Sequence, residues 1–225
     1  MIFYMDVEEL LMRYASGERD FGDVDLSGID LSNAELSDAK FMYANFFGTK
    51  LINANLTNTK WDTALLYDTD LRNANLRDAD LLWVNLIFAD LSEANLSNTR
   101  LYDASLCDAN LTKSNLKNAD LTKANLAGAD LTEADLTNAD LTNANLAGAD
   151  LTNVRLNNAK ITGTILDSLP LNNGRFKSLK IDNIITWKNL SFRSQSEVKI
   201  AEELDKRNLL FFPDSAARLT TKKRA

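Results

Sequence analysis

Residues 119–138 read ADLTKANLAGADLTEADLTN, and this stretch decides the fold. A large apolar residue stands at every fifth position of it: Leu121, Leu126, Leu131 and Leu136. A small residue precedes each of them by two positions. The same spacing of large apolar residues holds from Phe21 to Ile181 without interruption, which gives 33 central positions. A period of five fits neither the 3.6-residue turn of a helix nor the two-residue repeat of a flat strand.

Each five-residue unit combines a short extended side with a turn. The small residue and the central apolar residue are two positions apart, so both point to one side of an extended segment. The next pair begins three residues later, so the chain turns between units. Polar residues crowd these turns, as in Thr132-Glu133 and Thr142-Asn143, and can bond nearby backbone groups. Repeated sides and turns predict a coil whose stacked levels enclose Leu and Ala.

The units Ala-Asp-Leu-Thr-Xaa and Ala-Asn-Leu-Xaa-Xaa resemble the pentapeptide-repeat family over residues 21 to about 185. The resemblance implies an all-β solenoid, a right-handed quadrilateral parallel β-helix with four units per coil. About eight coils would make a rod ~40 Å long at ~4.8 Å per level. The alternative is a disordered low-complexity tract, but an apolar content of 45% favours a packed core.

The chain divides into an N-terminal capping helix (residues 1–20), the β-helix (21–185) and a C-terminal cap, helix and basic tail (186–225). Asp6 is placed to cap the first helix. The apolar face of this helix is formed by Val7, Leu10, Leu11 and Tyr14. Such a helix would cover the open β edges of the first coil. Residues 9–21 are similar to the lead-in of cyanobacterial pentapeptide-repeat proteins, including HetL-like regulators.

The period of five ends at Ile181. The last coil is expected to be closed by Trp187, Leu190 and Phe192. Ser194 or Ser196 could cap a second helix that reaches about Asn208, followed by a short strand at residues 209–212.

Residues 192–213 resemble the opening of restriction-endonuclease-like domains found in cyanobacteria. In that superfamily a glutamate of the first helix can lie beside a metal site, and Glu197 would match it. The essential later strand, with Asp and then Glu-Xaa-Lys, does not follow in this sequence. The resemblance therefore implies no nuclease activity, and Glu197 is interpreted as a helix-start residue.

The composition argues against catalysis. Histidine is absent, which removes the commonest general base and metal ligand. We expect no enzyme activity, no cofactor and no metal. Cys107 is the single cysteine, which fits a reducing cytoplasm. No long apolar run is present and the start lacks a basic signal region, so neither a membrane span nor secretion is expected.

The net charge of −7 is unevenly distributed. Residues 1–169 hold 13 basic and 26 acidic side chains, whereas residues 170–225 hold 12 basic and 6 acidic ones. Solvation explains an acidic surface most simply. Stacked carboxylates could also imitate a nucleic-acid backbone and occupy a DNA-binding protein. The basic tail is interpreted as solvated, and direct nucleic-acid binding is not expected.

Residues 20 positions apart should stack on one face, which reveals an asymmetric surface. Apolar residues concentrate on two adjacent predicted faces, in the pairs that follow the central residues: Met42, Tyr43, Phe47, Tyr67, Leu82, Trp83, Ile87, Phe88 and Tyr102. Contiguous apolar patches and aromatic anchors are typical of interfaces. Alternatively, some of these side chains fold over the edges or lie under a terminal helix. Trp61 takes a central position and is predicted to be core.

These features predict a non-enzymatic cytoplasmic scaffold or regulator that binds an unidentified protein partner, or a second copy of itself, through this strip. HetL-like regulators imply that regulation by protein contact occurs in the family. The alternative is an acidic DNA mimic that binds a topoisomerase or another DNA-binding protein, as the quinolone-resistance branch implies. Members of that branch interrupt their coils with loops. No insertion interrupts this repeat from Phe21 to Leu166.

Overall fold

The computed structural model describes residues 3–167, which form a coil of stacked walls preceded by one helix. Strand β1 covers Phe3–Tyr4, helix α1 covers Val7–Ala15 and strand β2 covers Val24–Asp25. The two strands pair in parallel, with Tyr4 opposite Asp25. β1 therefore adds one extra level beneath the first wall of the coil.

Parallel single-residue bridges hold the rest of the coil together. They join residues 20 positions apart in four rows, which begin with Asp20–Lys40, Asp25–Asn45, Asp30–Lys50 and Glu35–Asn55. The row from Asp20 continues in steps of 20 residues to Lys160. Since each five-residue unit contributes one bridging residue, every level of the coil has four walls.

Two backbone hydrogen bonds connect each wall with the next level. Leu121 N–H donates to the carbonyl of Asp140 at 2.7 Å, and Asp140 N–H donates to the carbonyl of Ala119 at 2.9 Å. The same pair of bonds recurs along the rows. The coil is therefore a continuously hydrogen-bonded body in which each level contacts only its neighbours.

The turns fall on the two residues after each central residue, as predicted. In one unit, Ala124 N–H donates to the carbonyl of Leu121 at 2.9 Å, and Lys123 has a φ of +60°. A positive φ at the third turn residue is what a type II turn requires. Asp120 Oδ1 accepts from Thr122 N–H at 3.0 Å, which explains why Asp and Asn precede so many central residues.

The central residues fill the interior, and those from Phe21 to Leu156 are at most 2% exposed. The first levels are filled by aromatic rings. Phe41 lies 5.8 Å from Phe21 and 4.6 Å from Trp61 between ring centroids. Trp61 is completely buried, as its central position predicts. From Leu66 onward the central column consists of Leu up to Leu156.

Helix α1 lies against the beginning of the coil. Asp6 Oδ1 accepts from Glu9 N–H at 2.8 Å and caps the helix. Leu10 is completely buried, whereas Leu11 remains 38% exposed. The sequence-based apolar face therefore included one residue too many, because the coil contacts only one side of a helix of this length. No helix among residues 3–167 is long and apolar enough to cross a membrane.

Several sequence-based predictions concern residues outside the described range. These are the later units from Leu171, the coil end near residue 185, the closing residues Trp187, Leu190 and Phe192, the second helix, the strand at 209–212 and the position of Glu197. They remain predictions.

Candidate functional site

The predicted interaction residues lie along two edges of the coil, where its walls meet. The first edge carries Met42, Tyr43, Leu82, Trp83 and Tyr102, and the second edge carries Phe47, Tyr67, Ile87 and Phe88. The sequence analysis grouped these rows on two adjacent faces. The residues belong to turns, and the flat walls are formed instead by the bridging residues between them. We call these residues together the aromatic strip.

The aromatic strip is partly exposed. Four of its side chains project strongly: Tyr43 is 62% exposed, Trp83 51%, Phe47 50% and Phe88 48%. The other five, Met42, Tyr67, Leu82, Ile87 and Tyr102, are partly buried. Of these five, Tyr67 and Tyr102 contact three of the projecting rings.

Neighbouring rings contact one another along each edge. On the second edge, Tyr67 stacks on Phe47 at 5.6 Å between centroids and meets Phe88 edge-on at 5.5 Å. On the first edge, Trp83 meets Tyr102 edge-on at 6.3 Å. At the end of this edge, Lys123 Nζ lies 2.9 Å from the Tyr102 hydroxyl. These contacts restrict the rotamers of Phe47, Tyr67, Phe88, Trp83 and Tyr102.

Three of the projecting rings occupy left-handed backbone positions. The φ angles of Tyr43, Trp83 and Phe88 are +61°, +54° and +59°. Of the 24 non-glycine residues with positive φ among residues 3–167, 16 are Asn or Asp. A bulky residue there costs about 1–2 kcal/mol. The other residues at these positions that are neither Asn nor Asp are Thr63, Glu93, Lys113, Lys123 and Glu133, so Tyr43, Trp83 and Phe88 are the aromatic ones.

Leu65 completes the strip and was missed by the sequence analysis. It occupies the wall between the two edges and is 47% exposed. This wall presents no charged residue over five levels, which carry Asn45, Leu65, Asn85, Ser105 and Asn125. The signal was present in the sequence, because Leu65 is the one apolar residue among the bridging positions from 20 to 160.

Asp62 lies on the first edge, between the levels of Met42 and Leu82. Its Oδ1 is buried and accepts no hydrogen bond from residues 3–167. Burial raises the pKa of Asp62, and the nearby carboxylate of Asp80 raises it further. The positive charges of Arg100 and Lys60 act in the opposite direction. An incompletely compensated carboxylate therefore interrupts the apolar strip.

Residues 3–167 contain no group of three or more His, Cys, Asp or Glu side chains that could hold a metal ion. Cys107 continues the second edge and is partly buried. Burial and the neighbouring Asp108 raise the pKa of its thiol, which is therefore protonated and weakly nucleophilic at neutral pH.

A family model described as pentapeptide repeats matches the chain in eight copies, over residues 20–58, 64–101, 99–138 and 129–167. The chain belongs to the pentapeptide repeat family. Proteins of this family fold as right-handed quadrilateral β-helices and are generally non-catalytic structural or interaction proteins. The solenoid fold of this family thus accounts for the repeated units, the four rows of bridges and the buried central residues.

Solved structures provide further comparisons. HetL, a pentapeptide repeat protein involved in heterocyst differentiation regulation from the cyanobacterium Nostoc sp. strain PCC 7120, is 31% identical, with 72% of this chain and 94% of HetL covered at a TM-score of 0.33. A second Nostoc pentapeptide repeat protein is 30% identical, with 48% and 82% covered at a TM-score of 0.35.

A trypsin-treated form of QnrB1, a plasmid-mediated fluoroquinolone resistance protein, is 19% identical. The comparison covers 87% of this chain and 93% of QnrB1 at a TM-score of 0.64, and it shows a shared fold alone. A search of the curated proteins found no significant match.

Proposed function

We propose that this protein is a non-enzymatic interaction scaffold or regulator that binds a protein partner through the aromatic strip. The observation that carries the proposal is the placement of Tyr43, Trp83 and Phe88 at left-handed turn positions, where they project into solvent. Aromatic side chains are frequent hot spots of protein interfaces. Asn at the same turn positions would relieve the backbone strain and increase solubility.

The uncharged wall between the edges supports the same function. Leu65 lies in this wall, and the rings of both edges flank it. Depletion of charge at the centre of a patch distinguishes interface cores from ordinary surface. The wall is also held at every level by backbone hydrogen bonds, so a partner would meet a preformed surface and little ordering entropy would oppose binding.

The test is affinity capture from the native organism with a triple variant, Tyr43→Asn, Trp83→Asn and Phe88→Asn. Asn already occupies many equivalent turn positions, so the fold should be kept. The matched control is Glu93→Asn, Lys113→Asn and Glu133→Asn, which introduces Asn at three positive-φ positions of another edge. We expect a partner to be captured by the wild type and the control but not by the strip variant. Equal capture by all three proteins would contradict the proposal.

A second copy of this chain is one possible partner, and the same variants test it. Multi-angle light scattering should report a dimer that the strip variant converts to a monomer if the strip binds itself. If the wild type is a monomer, the proposed partner is a different protein.

The charge pattern gives less support to DNA mimicry. The most acidic wall of the coil carries Asp30, Lys50, Asp70, Asp90, Asn110, Asp130 and Asp150. Lys50 and Asn110 interrupt this row. Arg72 also forms an ion pair of 2.7 Å with Asp70. A continuous acidic stripe, as a phosphate backbone would require, is therefore not formed on this wall.

A further inference from the structure

On the first edge a small side chain stands between two aromatic ones, and we call the space above it the notch. Tyr43, Thr63 and Trp83 occupy the same turn position on three successive levels, with φ angles of +61°, +58° and +54°. Tyr43 N–H donates to the carbonyl of Asp62, and Thr63 N–H donates to the carbonyl of Leu82, both at 3.1 Å. The three side chains therefore leave the coil from equivalent positions, and the smallest of them is in the middle.

The width of the notch follows from the stacking. Levels of a parallel β structure are ~4.8 Å apart, so the backbones of Tyr43 and Trp83 are separated by ~9.6 Å. A side chain in contact with a ring on each side needs ~7–8 Å, since carbon atoms pack at ~3.5–4.0 Å. One extended side chain thus fits above Thr63. A positive group at its tip would lie within the ~6 Å of both rings at which cation–π attraction acts.

The charges around the notch are suited to a cation. Asp62 directly precedes Thr63, and no residue of the described chain donates a hydrogen bond to its buried Oδ1. Asp23 and Asp103 occupy the same turn position one level beyond the rings on either side. Arg100 and Lys60 also act on Asp62, but neither forms a hydrogen bond with its Oδ1, and the Arg100 guanidinium donates to Asp80 Oδ2 at 2.6 Å. An apolar side chain in the notch would desolvate Asp62 further without compensating its charge.

We propose that the notch between Tyr43 and Trp83 binds an arginine side chain of the protein partner, with the two rings on either side and Asp62 as the opposing charge. This inference rests on the proposed function and specifies the chemistry of the partner. Arginine suits the notch better than lysine, because a planar and weakly hydrated guanidinium stacks on aromatic rings.

The test is a titration of the ¹⁵N-labelled full-length protein, followed by NMR, with N-acetyl-arginine methylamide. The neutral analogue N-acetyl-citrulline methylamide has nearly the same shape and serves as the matched ligand control. We expect saturable shifts of the Thr63 amide and the Trp83 indole N–H with the arginine compound alone. The indole N–H of Trp61 is buried and should not move. Equal shifts with citrulline, or no saturable shift at Thr63 and Trp83, would overturn the proposal.

Variants assign the binding to individual groups. Asp62→Asn should weaken binding about fivefold, which is the order that one exposed ion pair contributes. Tyr43→Asn with Trp83→Asn should abolish the shift at the Thr63 amide, whereas Glu93→Asn on another edge should leave it unchanged. Unchanged affinity in Asp62→Asn would also overturn the proposal. If Asp62→Asn does not fold, the citrulline comparison still tests the charge requirement in the unmodified protein.

The two proposals can fail separately. If capture of a partner depends on the aromatic strip but the arginine compound does not bind, the scaffold function stands and the notch assignment is wrong. If the arginine compound binds but the strip variant captures the same proteins as the wild type, the notch binds cations without serving as the docking surface.

Discussion

The indole Nε1 of Trp61 donates a hydrogen bond of 2.7 Å to the hydroxyl of Thr59 inside the coil. The same hydroxyl donates to the carbonyl of Leu56 at 2.6 Å. Both side chains are completely buried. A threonine at a position that is usually Ala therefore satisfies the polar edge of an inward-facing tryptophan.

Replacement of Thr59 by Val should destabilise the protein by removing both hydrogen bonds. Thr99→Val is the matched control, because Thr99 lies in the same column and donates to the carbonyl of Leu96 at 2.7 Å without an indole partner. The Thr59 variant leaves the buried indole N–H unpaired and should lose about 1–3 kcal/mol more than the control. Urea unfolding followed by circular dichroism measures the difference. Equal losses would show that the indole bond contributes nothing.

Replacement of Ser114, unlike that of Thr59, should stabilise the protein. Its hydroxyl is buried in the interior and has no hydrogen-bond partner among the described residues. It stands in a column with Ala94 one level before and Ala134 one level after. Ser114→Ala should raise the free energy of unfolding by about 1 kcal/mol, because a buried and unpaired polar group is removed. Ala94→Ser should lower it, and a destabilised Ser114→Ala would reveal an unrecognised partner for the hydroxyl.

Leu10 and Leu11 of α1 differ in their contact with the coil. Leu10 is completely buried against the coil, whereas its neighbour is 38% exposed. Leu10→Ala should lower the free energy of unfolding by about 2–5 kcal/mol. It should also promote aggregation, since it loosens the cover of the coil end. Leu11→Ala has the same helix propensity change and should cost less than ~1 kcal/mol. Thermal unfolding and light scattering of the two variants check this, and similar behaviour would place α1 differently.

The raised pKa of Asp62 predicts an unusual pH dependence. Burial and the Asp80 carboxylate make the folded protein bind the Asp62 proton more tightly than the unfolded chain does. The stability contributed by this group is therefore lost as pH rises from the unfolded pKa through the folded pKa. Asp62→Asn should be more stable than the wild type at pH 7, and the difference should close as pH falls below about 4, the unfolded value.

Asp70 is the matched control for this pH series. A side-chain hydrogen bond from Arg72 lowers the pKa of Asp70, so its contribution is present at neutral pH and is lost as pH falls through the folded value. Asp70→Asn should therefore be less stable than the wild type at pH 7, with the difference fading in acid. Urea unfolding between pH 3 and pH 7 compares the two variants. If both variants changed the free energy of unfolding in the same direction at pH 7, the causes assigned to the two pKa shifts would be wrong.

The sequence predicted the coil well because its signal is local and repeated. A large apolar residue every five positions and a small residue two before it allow few structures. Residues equivalent to Leu121 and Ala119 are buried in most described units, whereas Ile29, Ala34, Ala159 and Ile161 are only partly buried. The aromatic strip was also found from sequence, since residues 20 apart stack. Leu65 was missed because only the residues after each central position were compared.

The sequence by itself determined the period, the inward residues and the position of the turns, because these depend on the alternation of an extended chain and on turn chemistry. Only the tertiary structure decided how far each strip residue projects from its turn. It alone showed that Asp62 Oδ1 lacks a donor, that Thr59 pairs with Trp61 and that Ser114 is unpaired. These properties depend on distances between side chains of different units and levels and on their burial, which a one-dimensional repeat does not specify.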